Sequence, residues 1–269
     1  MERTSFLNRI TPVWKERLQT FSIGFAAGGV NGLLGIGGGI FLVPGLILLK
    51  GVNAQSAVAT SLGSVFFMAL AAFGMHISVS GLYLPPAGVA ILLAAGALGS
   101  VLGGLLLRHM TQRWILYLFA LLVEFSAFNL VYKVISTGGQ TLEVLVPPLW
   151  AFPVVGGAAG FFSGMLGIGG GGIAVLAFAV MFNTPILGGI PMALLVNMAN
   201  SASGVLAQWR NKIILWREVL RLSLSALVGV AVGVGVAVHV SPDALRVLFS
   251  SFFMYMGWRL FLRGRKSSS

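Results

Sequence analysis

Leu34-Gly35-Ile36-Gly37-Gly38-Gly39 returns unchanged 132 positions later as Leu166-Gly167-Ile168-Gly169-Gly170-Gly171, each copy inside a long apolar segment. Consecutive glycines interrupt a helix, because each costs about 1 kcal/mol there relative to alanine. Non-helical backbone at membrane depth is tolerated only where it is buried in protein or lines a cavity. Two copies therefore predict a duplicated membrane protein in which each half carries one broken helix, a construction typical of secondary transporters.

The repeat reaches beyond the glycines. Gly24, Ala26, Ala27, Gly28 and Gly32 match Gly156, Ala158, Ala159, Gly160 and Gly164 at the same offset. Further on, an offset of 130 pairs Asn53 with Asn183, Gly74 with Gly204, Gly99 and Gly103 with Gly229 and Gly233, and His109 with His239. Each half then reads as a glycine-broken segment followed by three ordinary helices: 55–79, 84–107 and 113–135, then 186–208, 215–239 and 244–262. The Gly-x-x-x-Gly pairs are small-residue faces for close helix packing.

Composition supports a membrane chain. Of 269 residues, 57% are hydrophobic and 9% charged, and apolar runs recur from residue 21 to 262. The net charge of +11 resides in short segments between those runs, as the positive-inside rule produces, and this argues against nucleic acid as a partner. There are no cysteines, so disulfides and thiolate ligands are excluded. The first apolar run begins at Phe21 and continues too far for a cleavable signal peptide. Before it, Phe6, Leu7, Ile10, Val13, Trp14 and Leu18 recur at helical spacing against Arg3, Arg9, Lys15 and Arg17. This predicts an amphipathic segment over 1–20 on the cytoplasmic surface, with Thr11-Pro12 as a helix start. The remaining chain divides into a first repeat (21–137), an external linker (138–146), a second repeat (147–263) and a cytoplasmic tail (264–269).

Residues 20–50 would extend about 46 Å as a helix, too long for one upright span of about 30 Å and too short for two. The segment is either one tilted crossing or a re-entrant pair of short helices. Re-entrant pairs with a cytoplasmic N-terminus leave only Lys133 and Arg246 outside, among 17 Lys and Arg. Single crossings would put Lys50, Arg108 and Arg113 outside as well as Arg246. The charge rule favours the re-entrant pairs. A re-entrant pair plus three spans is an odd number of crossings, so the second half is upside down. The expected fold class is an all-α polytopic membrane protein of two inverted repeats, each a glycine-broken re-entrant helix pair plus three transmembrane helices.

A glycine turn between short helices exposes backbone N–H groups to an approaching anion, reinforced by any helix dipole that starts there. Gly37, Gly38 and Gly39 with Gly169, Gly170 and Gly171 are the first candidate binding residues; close packing by small residues is the competing explanation. Gly167-x-Gly169-x-x-Gly172 fits a dinucleotide fingerprint literally, but neither the downstream acidic residue nor a strand–helix unit accompanies it. Thr60 and Ser61, with Ser64 on the same helical face, follow the first break; Asn197, Asn200 and Ser201 form the densest polar patch of any span. Amides and hydroxyls suit an oxyanion, and they equally suit hydrogen bonding between helices. Glu124 is the acidic residue deep in a span, a candidate for proton coupling or for a structural bond. His76, His109 and His239 show no metal-ligand spacing; no catalytic constellation, ATP-binding lysine or cofactor motif is present, so no enzyme, metal or cofactor is expected.

Gly35-Ile36-Gly37-Gly38-Gly39-x-x-x-Val43-Pro44, followed by Ala57-Val58-Ala59-Thr60-Ser61-Leu62, resembles the first half of the TauE/SafE family of sulfite exporters and sulfonate permeases. The resemblance covers residues 20–263. It departs at Leu176, where the family often repeats the proline of Pro44, and at Gly188-Gly189-Ile190-Pro191, where the family's second Ala-x-x-Thr-Ser is absent. It implies a carrier in the bacterial inner membrane for sulfite, sulfoacetate, taurine or a related small oxyanion; the charge count places both termini in the cytoplasm. The alternatives are an anion channel, a carrier for another small carboxylate or oxyanion, and a membrane-embedded assembly subunit. An interior-negative membrane favours anion export by about 2.3 kcal/mol per charge per 100 mV, so an exporter needs no coupling ion whereas uptake needs one.

Overall fold

The computed structural model describes residues 2–76, 85–137, 147–182, 189–237, 251, 254–255 and 257–265. Its helices are α1 (Glu2–Leu34), α2 (Gly39–Lys50), α3 (Ala54–His76), α4 (Pro86–Leu107), α5 (Gln112–Thr137), α6 (Ala151–Leu166), α7 (Gly171–Phe182), α8 (Ile190–Trp209) and α9 (Trp216–Ala237). Residues 257–265 form a further helix, α10. The proposed linker 138–146, together with Asn183, His239 and Arg246, lies outside the described residues. Among the described residues, four helices, α3, α4, α8 and α9, are long and apolar enough to cross a membrane. The N-terminal segment is not a separate helix starting at Thr11-Pro12: α1 is continuous from Glu2.

Both glycine runs break the chain where they were expected to. Residues 35–38 separate α1 from α2, and 167–170 separate α6 from α7. The first broken segment doubles back on itself. Lys50 Nζ donates to Thr20 Oγ1 at 2.9 Å, joining the two ends of the segment. Deeper in, a Cβ on Gly45 would lie 2.8 Å from Ile23, so α2 runs back along α1. The second segment folds similarly, with the rings of Phe152 on α6 and Phe178 on α7 5.4 Å apart.

The two halves interlock by exchange. Gly24, Gly28 and Gly32 of α1 meet Leu222, Ala226 and Val230 of α9, whereas Gly156, Gly160 and Gly164 of α6 meet Leu92, Gly96 and Ser100 of α4. The first arm of each hairpin thus packs against the fourth helix of the other half, α1 against α9 and α6 against α4, and in both pairs the helices run parallel. Backbone touches backbone along these seams because no side chain intervenes, the close approach that small residues provide between membrane helices. Gly99 and Gly103 do the same against α6, and Gly229 and Gly233 against α1.

One detail of the expected repeat is corrected. The offset of 132 persists through α3 and α8: Gly35 lies on Ile190, and Gly167 lies on Val58. The change to 130 comes only with α4 and α9, so the shortening falls in the connection between α8 and α9. Gly74 and Gly204 are therefore not equivalent; Gly74 has nothing near its Cβ position, whereas Gly204 is packed against Leu62 and Ser100.

Candidate transport site

The two glycine runs cross at the centre of the bundle in direct contact. Gly172 N–H donates to Ile36 carbonyl at 3.2 Å. A side chain on Gly37 would strike the Ile168 carbonyl, and one on Gly39 would strike Gly167. Gly37 and Gly169 have φ of +94° and +92°, a conformation that side-chain-bearing residues rarely adopt.

Side chains complete the crossing. Asn197 on α8 bridges the halves: its Oδ1 accepts from Gly171 N–H at 2.7 Å, and its Nδ2 donates to Gly35 carbonyl at 3.0 Å. Asn200, one helical turn on, donates to Gly169 carbonyl at 3.2 Å. From α3, Ser61 Oγ donates to Gly167 carbonyl at 2.7 Å. From the last turn of α1, Asn31 Oδ1 accepts from Gly37 N–H at 3.1 Å. All four side chains are fully buried.

The expected site residues thus divide. The structure brings Gly37, Gly39, Ser61, Gly169, Gly171, Asn197 and Asn200 together. Gly38 lies behind the crossing, against Met68 and Ala27, whereas Gly170 lies between Asn200 and Ala159 at its edge. Thr60 faces away, its Oγ1 accepting from Leu215 N–H at 3.1 Å in the connection between α8 and α9. Ser201 is buried with its hydroxyl unpartnered. The Glu124 carboxylate lies against Gly257 of α10, and it makes none of the contacts described for the crossing. Among the described residues no group of three or more His, Cys, Asp or Glu side chains is arranged to hold a metal.

The expectation of open N–H groups needs adjustment. Gly37 and Gly171, expected as anion donors, already give their N–H groups to asparagine oxygens. Asn31 was overlooked in the sequence, although an amide one turn before a break that needs capping is a readable signal.

Comparison with known proteins bears on this geometry. The family model for the sulfite exporter TauE/SafE matches residues 20–188 and again 152–269. The chain belongs to the TauE/SafE family. It is also similar to the Probable membrane transporter protein YunE of Bacillus subtilis (strain 168), with 24% identity over 265 residues, 90% of this chain and 96% of that protein. No solved structure matches it. The chain is accordingly a multi-pass membrane protein of a transporter family.

In this TauE/SafE chain the crossing is chemically lopsided. At the 132 offset Asn31 corresponds to Ser163, Asn197 to Val65 and Asn200 to Met68. The structure respects those correspondences: Gly38 meets Met68 as Gly170 meets Asn200, and Val65 packs on Gly169. The duplicated backbone is retained, while its polar lining is unevenly shared: two asparagines from α8, Asn31 from α1 and Ser61 from α3.

Ser61→Ala leaves the Gly167 carbonyl without its side-chain donor in a site closed to water. We expect a loss of about 1–3 kcal/mol, read as a lower melting temperature of the detergent-purified protein.

Proposed function

We propose that this protein is a secondary carrier that exports a small sulfur oxyanion or organosulfonate, of the sulfite, sulfoacetate or taurine type, across the bacterial cytoplasmic membrane. The observation carrying this reading is the crossing itself: two broken helices from opposite halves, in backbone contact and bridged by Asn197. Broken helices meeting at a repeat interface are where carriers of this construction hold substrate. The relationship to a sulfite exporter family supplies the substrate class.

In this reading the α1–α2 hairpin enters the membrane from the cytoplasm and the α6–α7 hairpin from outside, giving inverted repeats with both termini inside. Three features support the inversion. The two ends of the first hairpin meet at Lys50 and Thr20. Gln55 Nε2 reaches the Met110 carbonyl, so the start of α3 and the end of α4 share the Lys50 side. α5 then leads away from that side to α6. The anion would displace Asn31 and Asn197 as the acceptor of the Gly37 and Gly171 N–H groups, exchanging one oxygen for another. Release would restore the asparagine bonds and reseal the crossing. Export down the membrane potential requires no coupling ion; proton coupling through Glu124 would be needed only for uptake.

The test is flux of labelled sulfite, sulfoacetate and taurine in proteoliposomes under an imposed potential. Saturable, potential-dependent flux of at least one is the expected result. Currents far above carrier turnover would indicate a channel, and no flux of any would refute the carrier assignment. Glu124→Gln leaves export unchanged if the carboxylate is structural; a lost pH dependence would restore it as a coupling group.

A further inference from the structure

The buried polar side chains among the described residues are without exception uncharged: asparagine, glutamine, serine and threonine. Lys50 approaches burial, but it is engaged at the hairpin mouth by Glu218, Glu16 and Thr20, away from the crossing. Among the described residues, an anion at the crossing would therefore meet dipoles alone. At the crossing, Asn31 is bonded to Gly37 through its oxygen, while its Nδ2 donor is fully buried and has no partner. Ser163, its counterpart in the second half, likewise has a buried hydroxyl without a partner. These are donors awaiting an acceptor. Asn200, held to Gly169 through its Nδ2, carries a buried Oδ1 without a partner, an oxygen that repels further negative charge.

From this we infer that the crossing selects singly charged oxyanions and excludes doubly charged ones. The inference rests on the carrier reading above and narrows its substrate class. The cost of removing an ion from water grows as the square of its charge, so a dianion pays about four times the penalty of a monoanion of similar size. Charge-assisted hydrogen bonds from neutral donors grow only in proportion to charge. A fixed cation would repair that deficit, and among the described residues the crossing has none. For sulfite, the transported species is then hydrogensulfite. For organosulfonates, the favoured substrates carry one sulfonate and no carboxylate.

The experiment is flux in proteoliposomes of methanesulfonate, a monoanion at every relevant pH, against sulfoacetate, a dianion at neutral pH. Sulfite, which exchanges its proton near neutrality, is followed from acid to alkaline pH. Expected is at least about a 100-fold preference for methanesulfonate over sulfoacetate. Sulfite flux should fall on the alkaline side in step with the hydrogensulfite fraction, while methanesulfonate flux stays level. Comparable rates for sulfoacetate and methanesulfonate would overturn the charge selection and leave the carrier reading intact. No flux of any of the three would remove the carrier reading and this inference with it. Asn31→Leu, which removes the amide donor while keeping the side-chain volume, should raise the KM for methanesulfonate about 10-fold by removing one hydrogen bond to a charged ligand. An unchanged KM in a folded Asn31→Leu protein would overturn the assignment of that donor to the substrate.

Discussion

Gly37→Ala is expected to abolish transport and to prevent recovery of a monodisperse protein. Two penalties combine at this position. At φ of +94° an alanine is held in the left-handed region, costing about 1–2 kcal/mol. Its methyl group is also driven into the Ile168 carbonyl, which is backbone of the opposite hairpin and cannot swing aside as a side chain would. The total should exceed about 4 kcal/mol, in the range reserved for core disruption or forced strain. Gly51→Ala separates the two terms. Gly51 has φ of +68° but nothing within 4 Å of its Cβ position. It should lose about 1 kcal/mol and keep full flux. Melting temperature, elution profile and flux, measured side by side, check both variants. A stable, active Gly37→Ala protein would mean that the two runs do not touch in the working molecule.

The contrast between those glycines explains how far the sequence could be read. A repeated run of glycines announces a break, because the loss of helix there depends only on local backbone preference. It does not announce the partner. That Gly37 needs its missing side chain because of Ile168, and Gly51 only because of a helix end, is a tertiary fact. The four crossing helices were legible for the same local reason, as apolar runs of sufficient length with boundaries near those observed. The polar patch on α8 was legible as a cluster, and its direction was not: Asn197 reaches both hairpins, whereas Thr60, equally eligible by spacing, caps a loop at Leu215. The offset misled over Gly74 because glycine pairs in a chain with 37 glycines match readily by chance. Only contacts could show that the shift lies after α8.

Lys50 is the position where a reading from charge alone fell furthest short. In a topology count it is one basic residue on the inner side. In the structure its side chain is 8% exposed and its ammonium group pairs with Glu218, itself 13% exposed, in the first turn of α9. Glu16 stands 3.7 Å from the same ammonium, and Arg221 lies 3.8 Å from Glu16 and 3.5 Å from Glu218. The cluster fastens the end of α2 to α1 and α9, closing the mouth of the first hairpin. At the corresponding mouth, Thr20, Lys50 and Glu218 are replaced by Phe152, Phe182 and Gly88. There Phe152 and Phe182 both pack at a tilt against Phe178, and the Phe152 ring covers Gly88. The same fold therefore closes one mouth with charges and the other with aromatic packing.

That equivalence makes a quantitative prediction. Glu218→Leu leaves the nearly buried ammonium with the neutral Thr20 hydroxyl and the half-exposed Glu16 as its one remaining counter-charge, and should cost about 3–5 kcal/mol. Lys50→Met should cost less, about 3 kcal/mol, because Glu218 keeps Arg221 as a partner. Combining the two replaces the pair with apolar groups, as the second hairpin has already done, and should recover most of the loss. The coupling between the two substitutions in reversible unfolding of the purified protein measures this directly. Additive losses would mean that the two charges are solvated separately and that the mouth is held by packing alone. A double variant near wild-type stability would establish that the charged closure is one of two interchangeable solutions to the same geometric problem.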